Sequence, residues 1–547
     1  MSKKNTKQKL ESQKFSNKNF LVPQYLTYSL VLFWIMIVVY NYFKFNPINI
    51  GVLNEFFEFP YEINLNQRFQ LFEYIGSFFI VFLSFISSFG WGKIFKKIFS
   101  LEYQTLWEES LFSIAIGFVI TIYFTLTVGW LGVLYYWNIL IFISLGLLFA
   151  ILFFQRKTTS VTLTKTEKIS FLELFLVGTI FLIFIYSFIT IFAPETFYDS
   201  LKYHLSVPKY WLQHNRIFAI PNFEYSFYPA NIHILYLIIL MFGNDVTVKL
   251  FHFVIGLLTA GTIYFWSKKY FSNKMSLLSV VIFFSVPFVW LVMIRSAIEI
   301  WLAFFETLAV LSMLKFLFDK ERKLQWLIFS AIFCGTAIGG KYLSVYCMFS
   351  ILVILLVQMF NEKVSFKKIL FTTGLFVAIT LLFPLPYLIR NYIKTGAMTY
   401  PFSASLKKDV VVFNKSREVE FTDPAKPERT IKNFLTLPWN IAMLKKTQEP
   451  YSGAVLLLLI PFAIFFKCSD PKIKLLKLYV IVYYFCWFMV RTYFRYIIPF
   501  IPIISLVFAY FLTEININKY VRNIVLLGIV LLNLSSTGLI VSIIMFT

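Results

Sequence analysis

About fifteen apolar runs, each on the scale of a bilayer crossing, dominate the chain. They fall at 22–43, 72–92, 110–133, 136–154, 171–193, 245–266, 276–294, 297–318, 326–340, 342–360, 369–389, 453–467, 474–490, 495–513 and 523–545. The hydrocarbon core of a bilayer is about 30 Å thick, so a helix crossing it needs about 20 predominantly apolar residues. With no water there to satisfy peptide groups, each run has to be helical. The expectation is an all-α polytopic membrane fold. Composition leaves no soluble alternative: 59% of the 547 residues are hydrophobic, 14% are charged, and the mean hydropathy is +0.74. Such a chain cannot hide its apolar mass behind a water-facing shell.

The formal charge of +23 would suggest nucleic acid in a soluble protein. Here the basic residues cluster in short links between apolar runs, as at Lys96-Lys97, Lys268-Lys269, Lys320 to Lys323 and Lys367-Lys368. The positive-inside bias of membrane proteins accounts for them, and no nucleic-acid partner is expected. Cys334, Cys347, Cys468 and Cys486 lie within or beside the runs and form no disulfide or CxxC framework. Met1 to Asn19 is polar and Lys-rich, and the run that follows has no small-residue cleavage site, so it reads as a retained first span.

Charge bias also orients the chain. With a cytoplasmic N-terminus, the basic links at 93–97, 156–168, 320–323, 362–368, 467–474 and 514–522 all fall inside, provided that the short apolar stretch Ile232 to Phe242 is a re-entrant or surface helix. The loop Pro194 to Asn231, the junction Arg295 to Glu299 and the polar segment Arg390 to Ser452 then share the outer face. The expected organisation is a four-span extension over 1–155, a core over 156–389 with its outer loop at 194–231, an outer loop or lid over 390–452, and C-terminal spans over 453–547. The highly charged stretch Lys407 to Arg429 is the candidate lid.

Chemistry concentrates in that first outer loop, which reads Tyr198-Asp199-Ser-Leu-Lys-Tyr203-His204-Leu and continues through Trp211-Leu-Gln-His-Asn to Tyr228-Pro229-Ala-Asn231. Asp199 stands directly after a span. A carboxylate at the lipid–water boundary is well placed to act as a base, although Asp is also a preferred N-cap for the helix expected from Ser200.

These residues resemble the first outer loop of family-39-related membrane glycosyltransferases of the GT-C class, which include protein O-mannosyltransferases and the lipid A aminoarabinose transferase. Further motifs follow in the family's order. Ser285-Val-Pro287 with Arg295-Ser-Ala-Ile-Glu299 resembles a Pro-containing span ending in a second outer acid. Pro386-Tyr-Leu-Ile-Arg390-Asn391 through Tyr400-Pro401-Phe402 is similar to the entry of the later outer loop, and Arg491-Thr-Tyr-Phe-Arg495-Tyr496 to a basic-aromatic segment. In this chain Ser206-Val207 separates Leu205 from Pro208, a departure from the commonest form of the family's turn.

The resemblance implies a GT-C-like fold and transfer of a sugar from a polyprenyl-phosphate carrier to a protein, lipid or glycan acceptor, at an extracytoplasmic site of the inner (plasma) membrane. Asp199 would be the base and Glu299 a second acid holding acceptor, sugar hydroxyl or a divalent cation. Glu299 could equally pair with Arg295, four residues away. A phosphate leaving group gains charge in the transition state, so fixed cations lower the barrier. Lys341, Arg390, Arg491 and Arg495 are the candidates, with interfacial snorkelling as their plain alternative. Tyr203, His204, Tyr228 and Asn391 would position substrate, and Trp211, Tyr203 and Tyr228 could stack on a sugar. His204, His214, His233 and His252 match no zinc spacing, so no metal ligand is assigned. A transporter or lipid-carrier flippase would place its ionisable residues near mid-span, and an O-antigen ligase or polymerase would lack the carboxylate in this context.

Overall fold

The computed structural model describes residues 22–46, 68–153, 171–193, 195–319, 323–401, 427–444, 453–515, 517–529 and 532. The N-terminal Lys-rich segment, most of the candidate lid and most of the last apolar run lie outside them.

The described chain is built from helices: α1 (Gln24–Phe45), α2 (Arg68–Ile98), α3 (Leu106–Trp130), α4 (Tyr136–Leu152), α5 (Phe171–Thr190), α6 (Ser206–Gln213), α7 (Asn231–Phe242), α8 (Asp245–Tyr270), α9 (Asn273–Phe284), α10 (Pro287–Met293), α11 (Glu299–Phe318), α12 (Leu324–Ile338), α13 (Val345–Asn361), α14 (Phe366–Leu382), α15 (Leu385–Thr395), α16 (Ile431–Leu444), α17 (Val455–Phe465), α18 (Pro471–Val490) and α19 (Ile501–Thr513). Short helical turns at Ser200–His204, Tyr342–Ser344 and Phe494–Phe500 connect them.

The apolar runs are helical as expected, but fewer are unbroken spans. Among the described residues nine helical segments are long and apolar enough to cross a membrane. Prolines explain part of the shortfall from about fifteen. The run at 276–294 breaks at Pro287 into α9 and α10, bent by 74°, and the run at 369–389 breaks around Pro384 into α14 and α15, bent by 59°. Three other expected spans, α4, α12 and α17, are helices of only 17, 15 and 11 residues. Helix α7 has 12 residues, so at 1.5 Å per residue it rises roughly 18 Å and cannot cross the roughly 30 Å core alone. It sits inside the bundle with Asn231 through Ile239 buried.

Helix α11 is the centre of the molecule. Every residue from Glu299 to Leu317 is buried, against α8, α12 and the turn Phe494–Phe500. The helices of the N-terminal unit pack on one another by close backbone approach. In α2 a Cβ on Gly90 would lie 1.8 Å from the Gly146 carbonyl oxygen of α4, and a Cβ on Gly117 of α3 1.7 Å from that of Ser88. Small residues at these crossings let helices pack where lipid supplies no hydrophobic drive. At one end of the bundle Glu109 takes both Lys93 and Lys96, and Glu108 takes Lys315 of α11.

Asn231 ties the unit to the core from the other side. Its amide donates to Tyr123 Oη of α3 at 3.2 Å and to the Thr336 carbonyl at 3.0 Å, and its Oδ1 accepts from Tyr387 Oη at 2.8 Å. Tyr123 in turn donates to the Phe383 carbonyl, at the break between α14 and α15. The tyrosine-proline-alanine-asparagine motif thus ends on a residue that anchors four helices.

Candidate active site

After α5 the chain turns inward through Glu195. One Glu195 oxygen accepts from its own Phe197 amide at 3.0 Å, and the other from the Ser296 amide at 2.6 Å, which fastens the first outer loop to the junction before α11. Arg295 lies over the Phe197 ring, 5.3 Å from its centroid. Glu195 is therefore spent on backbone amides.

The next turn, Ser200–His204, is a π-helical one. Asp199 precedes it in helical backbone conformation and makes no cap hydrogen bond, so the N-cap alternative does not hold. Its carboxylate reaches 296 residues along the sequence and forms an ion pair with Arg495. Arg495 belongs to the turn Phe494–Phe500, which packs on α11, and its guanidinium stands 5.4 Å from the Tyr496 ring centroid.

Glu299, the first residue of α11, pairs with Lys341 at 2.9 Å rather than with Arg295. Lys341 stands over the Tyr496 ring at 4.3 Å. Glu299, Lys341, Arg495 and Tyr496 all line one cavity with about 200 Å³ of empty space. Two acid–base pairs from four separate stretches of sequence thus meet at one place. A phosphate entering here would find two cations already held by carboxylates, and a displaced carboxylate would be left free to take a proton.

His204 is buried beside this group, its Nδ1 2.7 Å from Nε2 of His233. Tyr203 stacks on Tyr225, with centroids 4.6 Å apart. Burial pushes the His204 imidazole down to about 3, against the pull of Glu299, so the ring is neutral near pH 7. The sign of the linkage follows. Unfolded, the ring protonates near its ordinary value of about 6.5, so the folded state binds fewer protons and loses stability as pH falls from there toward 3. Between pH 7.5 and 5.5 the thermal midpoint of the purified protein should drop. In His204→Asn that drop should shrink by the equivalent of about 1 kcal/mol; identical pH profiles would show that His204 is not held neutral.

The other sequence candidates do not line this cavity. Arg390 Nη2 donates to the Phe227 carbonyl at 2.7 Å and to Asn391 Oδ1 at 3.0 Å. The Asn391 amide donates to the Phe227 carbonyl at 2.9 Å and to Tyr342 Oη at 3.2 Å, and the residue is fully buried. These two brace the outer loop against α15, and Arg390 does not line the cavity that Arg495 lines. Arg491 donates to Tyr493 Oη at 3.3 Å and lies over that ring. Tyr228 is half-buried, edge-on to Tyr203 at 6.3 Å. Trp211 is completely buried and donates to the Phe218 carbonyl at 2.8 Å, so it packs the loop instead of offering a sugar platform. His252 pairs with Tyr236 Oη at 2.7 Å. Among the described residues no three His, Cys, Asp or Glu side chains are grouped to hold a metal ion.

Among the residues on this cavity that were not singled out from sequence are Tyr496, as the ring beneath Lys341, and Glu306 of α11. Glu306 carried a signal, since an acid inside an apolar span is costly and functional by default.

Comparison with known proteins agrees with the motifs. No curated protein matches significantly. In solved structures the chain is similar to ArnT from Cupriavidus metallidurans bound to undecaprenyl phosphate, at 12% identity and a TM-score of 0.47, covering 65% of this chain and 63% of that one. The apo state of the same protein gives 12% and 0.45, covering 65% and 62%. The chain thus spans somewhat less than two thirds of these structures. Residues 228–388 match the family model described as dolichyl-phosphate-mannose-protein mannosyltransferase, a stretch that holds Glu299, Glu306 and Lys341 and stops short of Asp199 and Arg495. The Arg295-to-Glu299 motif lies inside this segment, and the outer-loop and Pro386 motifs only overlap its two ends, so it is the central part of the chain that resembles the family of the dolichyl-phosphate-mannose-protein mannosyltransferases.

Proposed function

We propose that this chain is a membrane glycosyltransferase that moves a sugar from a polyprenyl-phosphate carrier to a hydroxyl of a protein, lipid or glycan acceptor on the extracytoplasmic face of the inner (plasma) membrane. The observation that carries this reading is the meeting of Asp199–Arg495 and Glu299–Lys341 around one cavity at helix ends. The match of residues 228–388 to a family of lipid-phosphate-sugar transferases supports it.

In the reaction the acceptor oxygen attacks the anomeric carbon. The bond from that carbon to the phosphate oxygen breaks, its electron pair leaves with the phosphate, and Asp199 takes the acceptor's proton. Phosphate is a good leaving group, so a base on the acceptor matters more than an acid on the donor. Arg495 and Lys341 hold the charge that grows on phosphate, which fixed cations in a water-poor cavity do without reorganising. Glu299 keeps Lys341 aimed until the donor arrives. Arg390 and Asn391 shape the loop that carries Asp199, and Arg491 flanks the donor entrance. In this reading the chain divides at 1–155, 156–389, 390–452 and 453–547, with the second part holding most of the site.

The test is a transfer assay with purified protein in proteoliposomes, radiolabelled polyprenyl-phosphate sugars and a membrane extract as acceptor source. Label should leave the lipid only with active protein. A chain that moves intact lipid-linked sugar across the vesicle without cleaving it would be a flippase, and the reading would fall.

A further inference from the structure

Glu306 lies seven residues after Glu299 on α11, about two helical turns away and on the same face. It is 1% exposed and lines the same cavity as Glu299, Lys341, Ser344, Tyr483 and Arg495. The Ser344 and Tyr483 hydroxyls face it, yet neither Glu306 oxygen closes a hydrogen bond of ordinary geometry, and Ser344 Oγ is also without a partner. Buried polar atoms in folded proteins are nearly always paired, so such a group asks for an occupant.

The chemistry of the walls says which kind. Lys341 and Arg495 stand in the same cavity, so a metal cation would meet two like charges. What fits is a ligand with an anionic end for these cations and hydrogen-bond donors at its other end for the open acceptors of Glu306 and Ser344. A sugar joined to a phosphate has that pattern.

We propose that Glu306 is a specificity residue that accepts hydrogen bonds from hydroxyls of the donor's sugar, with Ser344 beside it, while Lys341 and Arg495 hold the phosphate. This deepens the function proposed above and rests on it. Sites built to pair with a hydroxyl discriminate strongly against ligands lacking it, because the buried acceptor is then left open.

The experiment measures binding to the full chain in nanodiscs by native mass spectrometry. The probes are bare undecaprenyl phosphate and undecaprenyl phosphate carrying mannose, glucose, galactose or arabinose. In the wild type at least one glycosylated form should bind about tenfold or more tightly than the bare lipid, a gain typical of one hydroxyl-reading contact. Glu306→Leu should erase that gain and leave bare-lipid affinity within about twofold. Glu306→Gln, which keeps shape and one acceptor, should retain part of it, and it decides the matter where the leucine variant does not fold. Absence of any gain in the wild type overturns the proposal, as does a gain that survives in both variants or a parallel loss of bare-lipid binding in both. Failure of the wild type to bind bare undecaprenyl phosphate would instead count against the lipid-donor reading itself.

Discussion

Asp199→Asn should lower kcat for sugar transfer by about 10³-fold, within the 10²–10⁴ that a positioned base contributes, while expression and thermal midpoint stay close to wild type. The amide keeps the shape and one acceptor oxygen for Arg495, which also stands beside the Tyr493 and Tyr496 rings. What it loses is the ability to take a proton. The check is initial transfer rate against donor concentration, with KM for the donor changing less than about threefold, since base catalysis acts in the transition state. An active Asp199→Asn protein would remove this carboxylate from the mechanism and leave its ion pair a structural clasp.

The second large effect concerns Lys341 and Glu299. Glu299 is almost wholly enclosed, with a side chain 2% exposed, and its ion pair is the 2.9 Å contact with Lys341. Removing one member of a buried pair strands the other charge, at a cost of about 3–5 kcal/mol when both are buried. Because the Lys341 side chain keeps 19% exposure, the lower end applies: Lys341→Met should destabilise the protein by about 3 kcal/mol. Adding Glu299→Gln should return most of that stability, since no charge is left unpaired. Activity should not return. A double variant that regains the midpoint and remains at least about 10²-fold slow separates holding the fold from holding phosphate. A double variant as fast as wild type would show that Lys341 has no role toward the donor.

The sequence carried most of the architecture because a bilayer allows few solutions. Length of apolar runs located nearly every described helix, but the runs at 276–294 and 369–389 were read as single spans, and the breaks at Pro287 and Pro384 emerge only in the structure. The number of true spans was less legible, because an apolar run of 15 or 17 residues reads alike as a short crossing or as a buried helix. The site was legible where a charged residue met a helix end: Asp199, Glu299, Lys341 and Arg495 were all singled out, and they meet. Their pairings were not, since partners 42 and 296 residues apart leave no local pattern. Arg390 and Asn391 had the right residue types beside a motif, but the structure turns their polar atoms toward the Phe227 carbonyl, and only tertiary packing decides that. Trp211 erred in the same direction: its indole hydrogen bond closes seven residues away, within its own loop. Glu306 was passed over because it belongs to no motif, although an acid in the middle of α11 is costly enough to be informative alone.

The account stands on where the lipid's phosphate binds. A cryo-electron-microscopy structure of the full chain with bound undecaprenyl phosphate measures it directly. The phosphate should lie within hydrogen-bond distance of Arg495 and Lys341, with Asp199 released from its ion pair and facing the anomeric position. A phosphate bound elsewhere, with Asp199–Arg495 and Glu299–Lys341 both still closed, would contradict it.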